Sequence, residues 1–169
     1  MPEPSQSNDI RIGQILLQRG VLTEQQVFEV VQAQKRTALP FGVLAERMFD
    51  VTIESIEEAW VEQYSRFTGT LDLSAQRFDT RALRLINRRQ AWQFQMLPVH
   101  VEESGELLIA AARTRLARAV TFAATRLEHA VYFRVAESQQ LQEFLRRHYP
   151  MPEVTDAILQ RASDMAHTP

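Results

Sequence analysis

The pattern of hydrophobic and polar positions in the first third of the chain is that of short amphipathic helices. Ile12 and Leu16 lie four residues apart, which places them on one helical face. Gly20 can take the left-handed conformation that ends a helix, and Thr23 can cap the helix that follows. Four helices are predicted in this way, over residues 9–19, 23–37, 41–49 and 52–66.

This pattern occurs twice along the chain. A shift of 29 residues places Gly13 on Gly42 and Thr23 on Thr52. The same shift pairs Leu22 with Val51, Val27 with Ile56, Val30 with Ala59, and Gln34 with Gln63. Such a repeat is typical of a duplicated helix–turn–helix unit, in which each unit buries an apolar stripe against its neighbour. We therefore expect five stripe residues to be largely buried: Leu16, Val27, Val31, Ile56 and Trp60.

After Thr68-Gly69 the pattern combines helices with strands. Thr70-Leu71-Asp72-Leu73 is a short extended segment, and a turn at Gly105 indicates a hairpin. Three strands are predicted, over residues 96–102, 106–112 and 130–135. Four more helices are predicted, over residues 79–93, 114–125, 138–149 and 153–166. The sequence therefore predicts an α+β fold, in which four helices in two repeated helix–turn–helix units precede a small three-stranded sheet with helices on one face.

These changes of pattern divide the chain into four parts. We expect a flexible leader (1–8), a helical repeat subdomain (9–67), an α+β subdomain (70–149) and a C-terminal helix or tail (150–169). With 169 residues, of which 45% are hydrophobic, the chain can bury a core as one or two small domains. No apolar run approaches the ~20 residues that span a bilayer, and no signal-peptide pattern is present. We therefore expect a cytoplasmic protein.

The residue types present argue against several function classes. The chain has no cysteine, and its net charge is −2. A nucleic-acid-binding protein usually has a stronger basic balance, so we expect no nucleic-acid partner. None of the five glycines begins a phosphate-binding loop, and Lys35 is the sole lysine. Because no acid, base and nucleophile converge in the sequence, we expect no catalytic residues, no metal site, no cofactor and no enzymatic activity.

Residues 11–34 resemble the MshEN motif, which occurs in the N-terminal domains of type II secretion and type IV pilus assembly ATPases of the GspE class. That motif has an Arg-Leu-Gly start, a second glycine seven residues after the first, spaced aliphatic residues and a closing glutamine. Ile12 takes the place of the usual leucine, and the resemblance extends over about residues 10–149. In the family, two consecutive motifs bind cyclic di-GMP. The resemblance implies seven ligand-binding residues: Arg11, Ile12, Gly13, Gly20, Gln34, Gly42 and Gln63.

The second copy departs from the family pattern. Pro40 occupies the position equivalent to Arg11, and Phe49 occupies that of Gly20. Arg113 or Thr114 stands where the family often has an aspartate of the ligand site. Two functions are therefore open: a non-catalytic regulatory domain that binds cyclic di-GMP through the first motif, or a protein–protein interaction module of a secretion, pilus or signalling system that has lost nucleotide binding.

Overall fold

The structure, a computed structural model, describes residues 11–152. The predicted leader (1–8), the predicted helix over residues 153–166 and most of the tail lie outside the described residues. Within the described range the helices are α1 (Ile12–Gln18), α2 (Glu24–Thr37), α3 (Phe41–Phe49), α4 (Ile53–Thr68), α5 (Thr80–Leu83), α6 (Arg88–Phe94), α7 (Leu116–Arg126) and α8 (Ser138–His148). The strands are β1 (Thr70–Leu71), β2 (Met96–Val101), β3 (Leu107–Ala112) and β4 (Val131–Ala136).

The four predicted N-terminal helices are present as α1–α4, and no strand occurs in residues 11–66. Each second helix of a unit begins at the predicted threonine. The Thr23 side chain accepts a hydrogen bond from the backbone N–H of Gln26 (3.2 Å), and that of Thr52 accepts one from Ser55 (3.2 Å). Because these side chains satisfy amides that a helix start leaves unpaired, the two caps fix equivalent helix starts in the two units.

An equivalent packing contact occurs within each of the two units. A Cβ built on Gly13 in α1 would lie 3.2 Å from Cγ1 of Val27 in α2, and one built on Gly42 in α3 would lie 2.7 Å from Cγ2 of Ile56 in α4. Both glycines therefore allow the two helices of a unit to approach more closely than a larger residue would permit. The 29-residue repeat is thus a repeat of helix packing as well as of sequence.

The left-handed residue that forms the turn lies one position later in the second unit than in the first. Gly20 has a φ of 69° and follows α1, as predicted. Phe49, at the equivalent position, remains the last residue of α3, and Asp50 takes the left-handed conformation with a φ of 52°. Aspartate tolerates this conformation better than most residues. The second unit therefore keeps its turn without a glycine.

The five predicted stripe residues all pack against the hydrophobic core, but to different depths. Leu16 is fully buried, whereas Val27, Val31, Ile56 and Trp60 are partly buried. The most buried positions of the second helices are Val30 in α2 and Ala59 in α4, and Ala33 and Val61 are also buried. The centre of the buried face therefore lies beside the predicted stripe. Trp60 instead stacks on Tyr64, with ring centroids 5.4 Å apart, on the side of α4 that faces the α+β part.

The fold is α+β, as predicted, but the sheet has four strands rather than three. Its order is β1-β4-β3-β2, in which β2 and β3 are antiparallel and the other neighbours are parallel. The extra strand is β1, whose two residues pair with the end of β4 (Thr70 with Val135, Leu71 with Ala136). A two-residue strand is too short to show an alternating pattern, which is why the sequence indicated only an extended segment.

The sheet is covered on both faces, which corrects the expectation of helices on one face. Every residue of β3 is buried, and successive residues of a strand point to opposite faces.

The single helix predicted over residues 79–93 is in fact divided into two helices, α5 and α6. They are separate because Asn87 takes an extended conformation and caps α6, its side chain accepting from the N–H of Gln90 (2.9 Å).

Two hydrophobic clusters meet at α4. The first cluster lies among α1–α4 and contains Ile15, Leu16 and Val30; the second surrounds the sheet and begins with Val61. The Tyr64 hydroxyl donates to the backbone carbonyl of Phe133 in β4. Helix α4 therefore belongs to both parts of the fold, and its two sides position the surfaces described below.

Candidate functional site

A surface groove of about 560 Å³ lies where the start of α1 meets α3 and α4. Its lining is mainly apolar and includes one residue of α1, the start of α3 and one side of α4: Ile12, Pro40, Phe41, Gly42, Val43, Glu46, Ile53, Ile56, Glu57, Trp60 and Gln63. Three of the seven residues nominated from the sequence are brought together here, namely Ile12, Gly42 and Gln63. We refer to this surface as the groove.

Arg11 adjoins the groove through its neighbour Ile12. Its extended backbone caps α1, and its N–H donates to Oε1 of Gln14 (3.1 Å), which fixes the first turn. The side chain of Arg11 is exposed and makes no ion pair with any residue of the described range. Within residues 11–152, its guanidinium donors therefore have no carboxylate partner.

The two nominated helix-start glycines shape the walls of the groove. A Cβ at Gly13 would meet Cζ of Phe41 at 2.9 Å, so the glycine lets this ring lie against α1. The Cβ of a larger residue at Gly42 would meet Ile56, another wall residue. The space beside both glycines is thus filled by the chain's own side chains. Their role in this structure is close packing.

Gly20 and Gln34 are not among the residues that line the groove. Gly20 follows the opposite end of α1 from Arg11. Gln34 lies in the last turn of α2 with its side chain exposed, and its backbone carbonyl accepts from the N–H of Ala38 (3.0 Å). The role assigned to these two residues from the family motif stays a prediction.

The second unit presents an apolar residue where the first presents a cation. Pro40 caps α3 just as Arg11 caps α1, but proline supplies neither a guanidinium nor a backbone N–H. Pro40 is part of the groove wall. The only charged side chains among the groove residues are the carboxylates of Glu46 and Glu57. The groove therefore combines apolar walls with hydrogen-bond acceptors.

A second depression, of about 350 Å³, lies between α4 and the segment that leads into α7. Its lining is mostly charged: Arg19, Glu54, Glu57, Glu58, Arg113, Arg115 and Arg118, with Val61, Thr114 and Ala117. We refer to it as the cleft. The sequence analysis noted Arg113 only as a departure from the family pattern. The spacing of its three arginines along residues 113–118 was a signal that could have indicated a charged surface.

An ion-pair network ties α1 to α4 at one edge of the cleft. Arg19 contacts the carboxylates of Glu58 and Glu62, each at 2.7 Å, and Arg66 also contacts Glu62. The pKa of the Glu62 carboxyl lies below its ordinary value, mainly because Arg19 donates a hydrogen bond to it. The network therefore stabilises the helical part while these carboxylates are ionised.

Comparison with known proteins identifies the family. The family model of the MshEN domain matches residues 63–155, which are 93 of the 169 residues and so more than half of the chain. The chain belongs to the MshEN domain family. The matched segment runs from Gln63 through the α+β part, whereas the motif that carried the resemblance in the sequence lies upstream, at residues 11–34. Family membership therefore rests on the segment 63–155, and the motif at residues 11–34 lies outside that match.

Solved structures similar to this MshEN domain include those of two other proteins. A structure of MshE with cdg has 22% sequence identity and a TM-score of 0.47, and the alignment covers 83% of this chain and 99% of that one. A structure of the N-terminal domain of XpsE has 18% identity and a TM-score of 0.45, with coverage of 88% and 99%. Similarity at this level carries no argument about ligands. No protein with a curated description matches the chain.

Two further observations concern the described part of this MshEN domain. Across residues 11–152, no helix has the length and apolar character needed to cross a membrane. In the same range, no three histidine, aspartate or glutamate side chains lie close enough together to hold a metal ion.

Proposed function

We propose that this MshEN domain is a non-catalytic regulatory domain that binds cyclic di-GMP through its first helix–turn–helix unit and the adjoining groove. The observation that carries the proposal is the placement of Ile12, Gly42 and Gln63 in one groove, with Arg11 next to Ile12 in the chain. The volume of about 560 Å³ falls within the ~300–1,000 Å³ of small-molecule sites.

The chemistry of the groove suits a guanine base. The half-buried Trp60 and the apolar walls provide surfaces for a planar ring. The guanidinium of Arg11 can donate two hydrogen bonds to O6 and N7 of guanine, a pair worth ~1–3 kcal/mol. The exocyclic amine of guanine is a donor, and the carboxylate of Glu46 is an acceptor. Because Pro40 supplies no second cation, we expect weaker binding than an intact tandem motif would give.

Calorimetric titration with cyclic di-GMP tests this function. We expect the intact chain to bind and Arg11→Ala to lower the affinity by at least about tenfold, which is the loss of one good bidentate pair. Arg147→Ala is the matched control, since Arg147 lies on α8, outside the groove, where its guanidinium pairs with Glu143 and lies over the ring of Phe144. It should bind like the intact chain. Absence of binding by the intact chain would reject the function, and binding that survives Arg11→Ala would place the site elsewhere.

One observation favours a second candidate function, the docking of a protein partner from a secretion, pilus or signalling system. Ile53, at the start of α4, is 57% exposed and lies in the groove wall. An apolar side chain in this position suits the apolar residues of a partner segment. If cyclic di-GMP does not bind, Ile53→Asp should weaken binding of the partner without lowering the melting temperature, whereas unchanged binding would exclude the groove as the docking surface.

A further inference from the structure

Three arginines in the cleft have no charged partner among residues 11–152. Arg113, Arg115 and Arg118 line one wall and are exposed, and none forms an ion pair with another residue of the range 11–152. Arg113 and Arg115 belong to a single 3-10 turn after β3, and Arg118 lies in the first turn of α7. The three side chains are therefore close together along the chain and face the same depression.

The glutamates of the opposite wall form no ion pair with these cations. Of its three glutamates, Glu58 is already paired with Arg19 at 2.7 Å. Glu54 and Glu57 make no ion pair within 4.0 Å among the described residues, so they do not reach across the cleft. Within residues 11–152, the guanidinium donors of the arginine wall are thus not occupied by carboxylates of the opposite wall.

The cleft and the groove are adjacent surfaces of α4. Glu57 lines both of them. The other groove residues of this helix lie on one side of it (Ile53, Ile56, Trp60 and Gln63), and Glu54 and Glu58 line only the cleft. A ligand with an apolar planar part and an anionic part can therefore place the first in the groove and the second in the cleft. Such a ligand must cross the ridge that carries Glu57.

We propose that the cleft binds a phosphate group of the ligand, with Arg113, Arg115 and Arg118 as the residues that neutralise it. This inference rests on the proposed function, and it adds a phosphate site made by the α+β part of the chain. A guanidinium suits this role because its planar donors match phosphate oxygens in pairs. Where the family often has an aspartate, this chain has Arg113 or Thr114, so no carboxylate stands there to repel an anion.

The first test replaces the three guanidinium groups with neutral amides and keeps an aliphatic side chain at each position. The triple variant Arg113→Gln, Arg115→Gln, Arg118→Gln is titrated with cyclic di-GMP by calorimetry. We expect an affinity about tenfold lower, with a weaker dependence on salt, since each exposed contact contributes modestly and is screened. Arg126→Gln, at the end of the same helix and outside the cleft, is the matched control and should bind like the intact chain. Equal binding by the triple variant overturns the inference and leaves the proposed function standing.

Substitution of Glu57, the residue on the ridge, should change the affinity in the opposite direction. Glu57→Gln removes a negative charge that the phosphate must pass, so affinity for cyclic di-GMP should rise about twofold to threefold. A loss of affinity on this substitution would contradict a phosphate beside Glu57.

A phosphate compound that lacks a nucleobase tests binding to the cleft independently of binding to the groove. Pyrophosphate is added to the intact chain and to the triple variant, and backbone amide shifts are followed by NMR. We expect shifts at residues 113–118 in the intact chain and none in the triple variant. If cyclic di-GMP does not bind the intact chain, the proposed function fails, and pyrophosphate alone decides the cleft: shifts at 113–118 support a phosphate site, and their absence overturns it.

Discussion

The close approach of α3 and α4 makes Gly42→Ala the most informative single substitution for the fold. The new Cβ would lie 2.7 Å from Cγ2 of Ile56, whereas ordinary contacts begin at 3.4 Å, so the two atoms must separate by at least about 0.7 Å. This methyl group is attached directly to the branched Cβ of Ile56, whose χ1 is stiff in a helix, so it cannot simply rotate away. Alanine gains up to ~1 kcal/mol in helix propensity, and overpacking costs ~1–3 kcal/mol.

The net effect expected for Gly42→Ala is a loss of about 1–2 kcal/mol in the free energy of unfolding. It is measured by urea denaturation followed by far-UV circular dichroism. Ile56→Ala removes the methyl group that the new Cβ meets. In that background Gly42→Ala should therefore be neutral or stabilising, with a coupling energy of ~1 kcal/mol or more. If Gly42→Ala is neutral in the intact chain, or if the two substitutions are additive, the glycine is not required for packing.

Two further predictions concern stability. Leu16→Ala, at a fully buried position, should lower the free energy of unfolding by ~2–5 kcal/mol, and an unchanged melting temperature would contradict the packing of the helical part. Because the pKa of Glu62 is lowered in the folded chain by Arg19, the stability from this pair is complete above the ordinary glutamate pKa and is lost as pH falls through the lowered one. Urea titrations at pH 7 and at acid pH should therefore show a smaller loss of stability on acidification for Glu62→Gln than for the intact chain, and equal losses would refute the linkage.

The sequence predicted the helical units well because their signals are local. A capping threonine such as Thr23, a turn glycine such as Gly20 and apolar residues at helical spacing act within one or two turns of chain. The buried face was predicted less well, since neighbouring faces of an amphipathic helix are both apolar here. Trp60 shows why: it lies on the side of α4 that meets the α+β part, which repeat spacing alone does not reveal.

The candidate site was predicted only in part, because its parts meet through tertiary structure. Ile12 and Gln63 are 51 positions apart in sequence, and the motif placed them in one site through a family resemblance. The close packing of Gly13 against Phe41 depends on how α3 crosses α1, which no local pattern encodes. The cleft depends in the same way on where α7 lies against α4, so Arg118 could not be assigned to a shared surface from the sequence.

The most direct test of the proposed function is to map cyclic di-GMP onto the protein by 1H–15N NMR. The account predicts that the largest shifts occur at the amides of Arg11, Ile12, Gly42 and Gln63, and at the indole N–H of Trp60, while the amides of α8 stay unchanged. Shifts concentrated at α8, or a folded protein whose spectrum does not respond at millimolar ligand, would contradict the account.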